Sequence, residues 1–456
     1  MRQPRWIGIV AAVLALGCAR FASAAEADTK NAEPQEAANA EKAFDPKHPA
    51  PWLEWGADLR LRYEYETNVF QLNERLDEER SYFSYRPRLW TKVSPTDWLE
   101  LNARLTWEPR SWFHPDSREG FDDNQGVIDA LNLQLKNIGG VPLTLTAGRQ
   151  DLFYGDGWLV REGTPLDGTT TYYFDAAKLS YEWKAAKTVI DAVYVQNYAD
   201  SAKYIRPFGD DDTDMIEQNE TGVILYATNK GLEKTQIDGY FIFKNDRKVS
   251  KQGNDAKIYT YGARIAGDLS DHWKYLAEGA VQTGRRNGRP HRAFGFNGDL
   301  AYLWNDAHKN SVHAGFEYLS GDNPSGDTDT GWDTVWGRWT RCSRLYTWTL
   351  RLEEGDSRWT NLERFNVGWS VEPLPRTTLA LDYHLLLAPE NPYAGTQNFS
   401  HDGHLRGHLF TGKVEHEVNK HLALALLVEH FRPGNYYSDL RDEAAMFYRA
   451  EATLKW

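Results

Sequence analysis

The chain has 456 residues, a formal charge of −13, and 18 tryptophan, 24 tyrosine and 19 phenylalanine residues. Its acidic balance argues against a nucleic-acid-binding protein, which normally presents a basic face. No run of ~18 apolar residues is present, which excludes a helical membrane protein. The polar average, with many aromatic residues, remains compatible with a transmembrane β-barrel, because lumen-facing polar residues dilute the apolar ones that face lipid.

Residues 1–24 are predicted to be a secretory signal peptide. Two arginines precede an apolar run over residues 6–16, and the small residues at 22–24 suit a cleavage site. The pair Gly17-Cys18 leaves lipid modification of Cys18 open, although the residue before the pair suits that processing poorly. Removal of Cys18 would leave Cys342 as the last thiol, so no intramolecular disulfide is expected.

Residues 25–51 are predicted to be a flexible periplasmic linker, because they are rich in Ala, Glu, Asn, Lys and Pro and contain one aromatic residue, Phe44. The remaining residues, 52–456, are predicted to form one outer-membrane β-barrel domain.

A two-residue alternation begins at Leu53. Odd positions up to Tyr65 are apolar, and even positions up to Glu66 are mostly charged, which predicts a strand with one apolar and one charged face. The pattern recurs along the chain, although residues 188–197, 220–229 and 421–431 are apolar on both faces. No segment has the pattern of a long amphipathic helix.

The connections between these segments alternate between short and long. Eight short and nine long connections give about 18 antiparallel strands, with short periplasmic turns and long extracellular loops, as in outer-membrane barrels. The segment Leu345 to Leu352 also has strand character and is interpreted as a hairpin within the longest loop. The alternative, a soluble β-sandwich or propeller, is disfavoured because no repeat of ~40 residues appears.

The last segment, Met446 to Trp456, alternates and ends in an aromatic residue, a pattern typical of the signal that the barrel-insertion machinery reads. Several tryptophans near strand ends predict interfacial aromatic girdles: Trp52, Trp90, Trp98, Trp273, Trp304, Trp369 and Trp456.

A set of basic residues is predicted to line a pore that binds substrate; all of them share the inward parity except Arg149, whose parity is ambiguous. Five of them lie on the first three strands, and the others are spread around the wall: Arg60, Arg62, Arg86, Arg88, Arg104, Arg149, Lys178, Arg264, Arg364 and Arg449. A guanidinium offers a bidentate fork to carboxylates and stays charged, so a ladder of them suits an anionic solute. Because acidic residues share the inward face, the alternative is that many of these arginines brace the wall as cross-strand ion pairs.

Two motifs resemble the alginate export family of outer-membrane proteins. One is Gly148-Arg149-Gln150-Asp151-Leu152-Phe153-Tyr154-Gly155-Asp156-Gly157, followed by Phe174-Asp175-Ala176-Ala177. The other is Tyr318-Leu319-Ser320-Gly321-Asp322-Asn323-Pro324, followed by Gly337-Arg338-Trp339. The resemblance spans about Trp52 to Trp456. It implies a monomeric barrel of eighteen strands, whose arginine-rich lumen passes the uronate polymer alginate to the cell surface.

Other groups of residues are weaker candidates for a binding site. The acidic segments 209–214 and 322–333 are oxygen-rich, as calcium prefers, but neither matches the full calcium-loop pattern, and solvated loops are the favoured interpretation. The cluster of His401, Asp402, His404 and His408 could bind a transition metal, although a loop cluster without metal is favoured. The long loop from Gly321 carries Trp332, Trp336 and Trp339 and is predicted to cover or plug the mouth.

No nucleophile-elbow, zinc-protease or phosphate-loop motif is present. Asp382 and His384 share the inward face and could form an acid–base pair, although cross-strand contacts explain them equally well. We therefore expect a channel without cofactors in the outer membrane of a Gram-negative-type bacterium, not an enzyme. Its expected cargo is an anionic polysaccharide or a related saccharide, and the alternative is a diffusion porin for small solutes.

Overall fold

The computed structural model describes residues 45–123, 126–161, 171–209, 215–338, 341–354 and 359–456. The predicted signal peptide and residues 25–44 of the predicted linker lie outside the described residues, so the domain boundaries stay predictions. Within the described ranges, no helix combines the length and apolar character needed to cross a bilayer.

Twenty strands and one α-helix follow one another in the described part of the chain. They are β1 (Leu53–Thr67), β2 (Arg80–Thr96), β3 (Leu99–Trp107), β4 (Arg110–His114), β5 (Gly120–Asp122), β6 (Gly126–Leu135), β7 (Leu143–Gln150), β8 (Phe174–Trp183), β9 (Thr188–Asn197), β10 (Gln218–Asn229), β11 (Thr235–Lys248), β12 (Ala256–Asp268), β13 (Trp273–Arg286), β14 (Arg289–Leu303), β15 (Ser311–Leu319), α1 (Arg344–Glu354), β16 (Leu362–Leu374), β17 (Thr377–Leu387), β18 (Leu405–Asn419), β19 (Leu422–Pro433) and β20 (Ala445–Lys455).

Eighteen of these strands form a closed antiparallel barrel. Each strand from β1 to β3 and from β6 to β20 pairs with its neighbour along the chain, β3 pairs with β6, and β20 returns to β1. Strands β4 and β5 form a small hairpin against the start of β2. The predicted strand number is therefore confirmed, and the backbone groups of the wall are paired around the whole circumference, as a lipid environment requires.

The seam between β1 and β20 is held by charges as well as by the backbone. Arg62 lies opposite Glu451, and Glu64 lies opposite Arg449. Both cross-strand pairs form ion pairs, with an Arg449 Nε–Glu64 Oε1 distance of 2.8 Å. At the end of the seam, the backbone N–H of Trp456 donates to the Ala57 carbonyl at 2.9 Å.

The barrel places apolar side chains outside and charged side chains inside. Outward-facing Leu89, Val281 and Val367 are 51%, 54% and 55% exposed, whereas inward-facing Glu64 and Asp238 are fully buried. This arrangement is the reverse of a soluble protein and matches a wall that faces hydrocarbon. It excludes the soluble sandwich or propeller that the sequence left open.

Tryptophans gather at the rim where the short turns lie, here called the short-turn rim. Six of the predicted girdle residues are 36–56% exposed at or toward this rim: Trp52, Trp98, Trp273, Trp304, Trp369 and Trp456. Trp183, at the end of β8, joins them at 52%. Trp90 is half-buried over Gly56. An amphipathic ring at this level suits the interface between hydrocarbon and head groups.

The opposite rim, here called the long-loop rim, departs from the sequence prediction in one element. Residues 344–354 form the helix α1 and not a hairpin, because the Ser343 hydroxyl caps its start by accepting the Tyr346 N–H at 2.9 Å. Its buried residues, Leu345, Tyr346, Thr349, Leu350 and Glu353, recur at helical spacing. As a strand, the segment would place Tyr346, Trp348 and Leu350 on one face and Thr347, Thr349 and Arg351 on the other, so the alternation test favoured the wrong structure.

Candidate functional site: the lumen and its inner loops

Most of the basic residues predicted to line the lumen form ion pairs with neighbouring carboxylates. The partners are Glu451 for Arg62, Asp58 for Arg88, Asp129 and Asp151 for Arg104, Asp175 for Arg149, Asp156 and Asp238 for Arg264, Glu317 for Arg364, and Glu64 for Arg449. The Lys178 Nζ lies 3.9 Å from Asp191 Oδ2. The predicted inward set is thus a network in which arginines are held by carboxylates, and the bracing role accounts for much of it.

Arg86 differs from this pattern. It lies directly opposite Arg60 on β1 and β2, about midway along the wall, and is 8% exposed. Within the described part of the chain, Arg86 forms no ion pair, and its Nε atom has no hydrogen-bond acceptor. Like charges placed directly opposite each other destabilise a sheet. The wall of β1 and β2 therefore holds a guanidinium, that of Arg86, which forms no ion pair within the described ranges, although the carboxylates of Glu108 and Asp58 lie near enough to favour its charge.

The first family-like motif of the sequence continues from β7 into a loop that folds into the lumen. This first inner loop, residues 151–161, follows β7. Asp151 accepts two hydrogen bonds from Arg104 of β3, both at 2.9 Å. Tyr154 donates to Asp191 of β9 at 2.8 Å. The sequence predicts long extracellular loops at the long-loop rim, whereas this loop folds inward.

The tip of the first inner loop reaches far down the wall. Asp156 accepts hydrogen bonds from Arg264 Nε at 3.2 Å and Arg264 Nη2 at 3.0 Å. Arg264 lies eight residues below the long-loop end of β12, which begins at Ala256. At about 3.3 Å per residue, this position is roughly 26 Å along the strand. The loop therefore crosses the lumen from the β3 side to the β12 side, well inside the barrel.

A second inner loop, residues 320–338, enters the lumen from above. The Trp336 indole donates to Glu220 of β10 at 2.9 Å, and Arg338 forms an ion pair with the same carboxylate. Gln282 of β13 exchanges hydrogen bonds with the backbone of Asp333 at 2.8 and 2.9 Å. The predicted plugging role of the tryptophans fits Trp332 and Trp336, which are 2% and 3% exposed. Trp339 lies outside the described residues.

The two inner loops are joined in the lumen. Trp158 stacks on Trp332 with ring centroids 5.1 Å apart, and the Trp336 N–H donates to the Leu159 carbonyl at 2.9 Å. The Trp158 indole also donates to Glu317 of β15 at 3.0 Å. Gly337 packs so closely that a Cβ at this position would overlap the Trp158 carbonyl oxygen. Tryptophans from the two inner loops thus meet in one contact.

Helix α1 follows the second inner loop and is fixed at both ends. Glu429 of β19 accepts the backbone N–H groups of Arg344 and Leu345 at 3.1 and 2.6 Å, as an anion at a helix N-terminus does. At the other end, Glu353 pairs with Arg406 at 2.9 Å, and both side chains are fully buried. The helix is therefore bound to the wall and does not project into solvent.

The ionisable groups of these loops are shifted by their surroundings. Burial disfavours the Arg338 charge, but the carboxylates of Glu220 and Glu217 raise its pKa above the ordinary value. Burial acts to raise the pKa of Asp329, yet the His291 ring, whose Nδ1 lies 3.7 Å from Asp329 Oδ1, and the hydrogen-bonded Arg286 guanidinium bring this pKa well below the usual range. Burial raises the pKa of the Cys342 thiol to about 11, so this thiol stays protonated.

A cavity of about 340 Å³ lies on the long-loop side of the joined loops. It is lined by the ends of β10 to β14 and by the second inner loop, with Lys244, Arg286, Asn254, Trp332 and Tyr393 among its walls. The acidic segment 322–333 borders it. Its carboxylates bind arginines, since Asp322 pairs with Arg289 at 2.7 Å and Asp329 pairs with Arg286 at 2.6 Å.

The proposed metal and acid–base clusters are not assembled in the described residues. No group of three or more His, Cys, Asp or Glu side chains there is placed to hold a metal ion. His404 Nδ1 lies 2.7 Å from the Ala388 carbonyl oxygen, and His408 Nδ1 lies 2.8 Å from the Tyr383 hydroxyl. Asp382 contacts His313 at 3.0 Å, so the proposed partner, His384, is not its ion-pair partner. Residues 210–214 of the other acidic segment lie outside the described residues.

Sequence reasoning missed the carboxylates of the inner loops as functional residues. Asp151 and Asp156 lie in a segment without alternation, so no face could be assigned to them. The available signal was their position in the motif that begins with Arg149, where acidic, aromatic and glycine residues are concentrated.

Comparison with known proteins places this lumen in context. The sequence model described as alginate export matches residues 51–450. No curated protein matches the chain. Similar solved structures include three Pseudomonas aeruginosa proteins, each aligned over 88% of this chain. OpdK with vanillate is 12% identical, with a TM-score of 0.56 over 99% of that chain. OccK2 (OpdF) in complex with glucuronate is 10% identical, with a TM-score of 0.55 over 97% of that chain. OccK5 (OpdH) is 11% identical, with a TM-score of 0.54 over 98% of that chain. At these identities, the likeness shows the fold.

Proposed function

The chain belongs to the alginate export family and is an outer-membrane channel, and from this premise we propose that it passes an anionic saccharide of the alginate type through an arginine-lined lumen. The observation that carries the proposal is Arg86, a buried guanidinium without an ion-pair partner among the described residues. A uronate carboxylate would supply the missing acceptor in bidentate geometry. Contacts of this kind must be weak enough for release, so a series of them suits conduction.

The position of Arg86 supports passage along the wall of β1 and β2. Arg60 lies directly opposite it, and Arg88 follows on the same face of β2. The described contacts of the two inner loops with the wall are on β3, β9, β10, β12, β13 and β15. Helix α1 lies at the long-loop end of β1 and β2, where Trp348 contacts Arg80 and Phe70. An anion moving along β1 and β2 below this helix would meet Arg86.

The test is the charge selectivity of the purified channel in a planar lipid bilayer. Under a salt gradient, we expect the wild-type reversal potential to indicate preference for anions. Arg86→Glu should shift it toward cations. The matched control is Lys420→Glu, which makes the same charge reversal at an exposed short turn. An unchanged reversal potential in Arg86→Glu would contradict the proposal. Arg62 and Arg88 are poorer targets, because each already holds a carboxylate.

A second candidate function is diffusion of small solutes, and the inner loops favour it, because they cross the lumen that a polymer would have to occupy. The similar structure of OccK2 is a complex with glucuronate, a monomeric uronate. Block of the channel by uronate oligomers of increasing length separates the two functions. Block that strengthens with length supports a polymer, and block by the monomer alone supports a small-solute porin. Neutral oligosaccharides serve as the control.

We also propose the oligomeric state, the location and the partners of this channel. Because the β1–β20 seam completes the barrel within one chain, the channel needs no second chain, and we propose a monomer in the outer membrane of a Gram-negative-type bacterium. The terminal Trp456, docked on β1, suits recognition of the last strand by the barrel-insertion machinery. No cofactor is required for passive conduction.

A further inference from the structure

Two wall arginines each bind one carboxylate of the wall and one carboxylate of the first inner loop. Arg104 donates to Asp129 of β6 through Nε and to Asp151 of the loop through both terminal nitrogens. Arg264 donates to Asp238 of β11 through Nη1 and to Asp156 of the loop through Nε and Nη2. The two sites thus have the same arrangement of one arginine between a wall carboxylate and a loop carboxylate, although they lie on distant strands.

The two kinds of carboxylate differ in their access to water. The wall carboxylates of Asp129 and Asp238 are fully buried, whereas the loop carboxylates of Asp151 and Asp156 are 32% and 41% exposed. A buried ion pair is costly to break, but a partly exposed one exchanges with solvent ions at low cost. The loop partners are therefore the ones that an incoming solute can replace.

We propose that Arg104 and Arg264 are two carboxylate-binding sites, which Asp151 and Asp156 fill in the absence of solute and which the carboxylates of a uronate occupy during passage. This inference rests on the proposed function and names two sites of contact for its substrate. The exchange leaves the number of charges around each guanidinium unchanged, because one bidentate carboxylate replaces another.

Displacement also has a consequence for the lumen. Asp156 is the deepest described anchor of the first inner loop, and its release detaches the loop tip from the β12 side. Anionic solute and loop thus compete for the same arginines, so the solute itself frees the passage that the loop obstructs. Neutral solutes have no carboxylate and do not exchange with the loop.

The test uses sodium glucuronate as the probe and the full-length channel in a planar bilayer. Asp151→Asn and Asp156→Asn remove the loop charge with little change in shape. Each should lower the glucuronate concentration for half-maximal block by about tenfold, because one bidentate competitor is lost. Block by neutral glucose should stay unchanged. Asp327→Asn, the same change at an exposed position of the second inner loop, is the matched control.

A double-mutant cycle distinguishes competition from a structural effect. If Asp156 competes at Arg264, Asp156→Asn should strengthen glucuronate block only while Arg264 is present, and the gain should vanish in an Arg264→Gln background. Glucuronate block of the wild type with no gain in either loop variant would overturn the inference and leave the proposed function standing. Absence of glucuronate block in the wild type and all variants would overturn both.

Discussion

Whether the two inner loops obstruct the lumen can be tested by a substitution that separates them at their contact. Gly337 lies against the Trp158 carbonyl, and Gly337→Ala would force the loops apart by on the order of 1 Å to restore a normal carbon–oxygen separation. The separation would break the hydrogen bond from Trp336 to Leu159, worth about 1 kcal/mol. It would also weaken the stacking of Trp158 on Trp332, worth another ~1 kcal/mol.

Together these losses destabilise the joined arrangement by about 2 kcal/mol, a shift of about 30-fold in the ratio of joined to separated loops. Single-channel recording should show a larger mean conductance for Gly337→Ala than for the wild type. The control is Gly326→Ala in the same loop, where the nearest atom to a new Cβ lies at 3.4 Å, an ordinary contact. Heat-dependent gel mobility should be unchanged, because the barrel wall is untouched. Equal conductance in Gly337→Ala and wild type would refute the reasoning.

Two further predictions concern the second inner loop and helix α1. Ser343→Ala removes the N-cap of α1 and should cost about 1 kcal/mol, so backbone amides of residues 344–354 should exchange hydrogen about fivefold faster; unchanged exchange would contradict the cap. His291 and Arg286 lower the pKa of Asp329 against the effect of burial. The ionised carboxylate therefore stabilises the folded second inner loop at pH values above the ordinary aspartate pKa, and this contribution is lost as the pH falls through the lowered pKa. Asp329→Asn should therefore make the loop more protease-sensitive at neutral pH, with a difference that narrows in strong acid; equal sensitivity at neutral pH would contradict this role.

The sequence was sufficient to predict the wall of the barrel. The alternation from Leu53 predicted β1, and the rhythm of short and long connections predicted the eighteen strands that the structure confirms. These features follow from the two-residue period of a strand with one wet and one apolar face, a local property of the sequence. The inward position of Arg60 and Arg86 followed from the same parity.

The contents of the lumen could not be predicted in this way. The contact of Asp156 with Arg264 joins residues 108 positions apart, and the cap that Glu429 adds to α1 joins residues 84 and 85 positions apart. The alternation of apolar and polar residues describes neighbouring positions only, so it gives no information about such distant contacts. The parity of a position predicts that a guanidinium faces inward, but it does not show whether a carboxylate lies within reach of it. Arg86 and Arg62 therefore have the same pattern in the sequence, although Arg62 forms an ion pair in the structure and Arg86 forms none within the described ranges.

The charged seam has a consequence for how the cylinder is completed. A shift of β20 by two residues along β1 keeps every side chain on its proper face, so hydrophobicity alone does not reject it. Such a shift in one direction sets Arg62 against Arg449, and in the other direction it sets Glu64 against Glu451, so either shift breaks both ion pairs and places two like charges opposite each other. Each shift also forms one new opposite-charge pair, Arg60 with Glu451 or Glu66 with Arg449, so the observed register keeps the advantage of one attraction and one avoided repulsion. The charges at the seam therefore favour the native alignment of the first and last strands when the barrel closes.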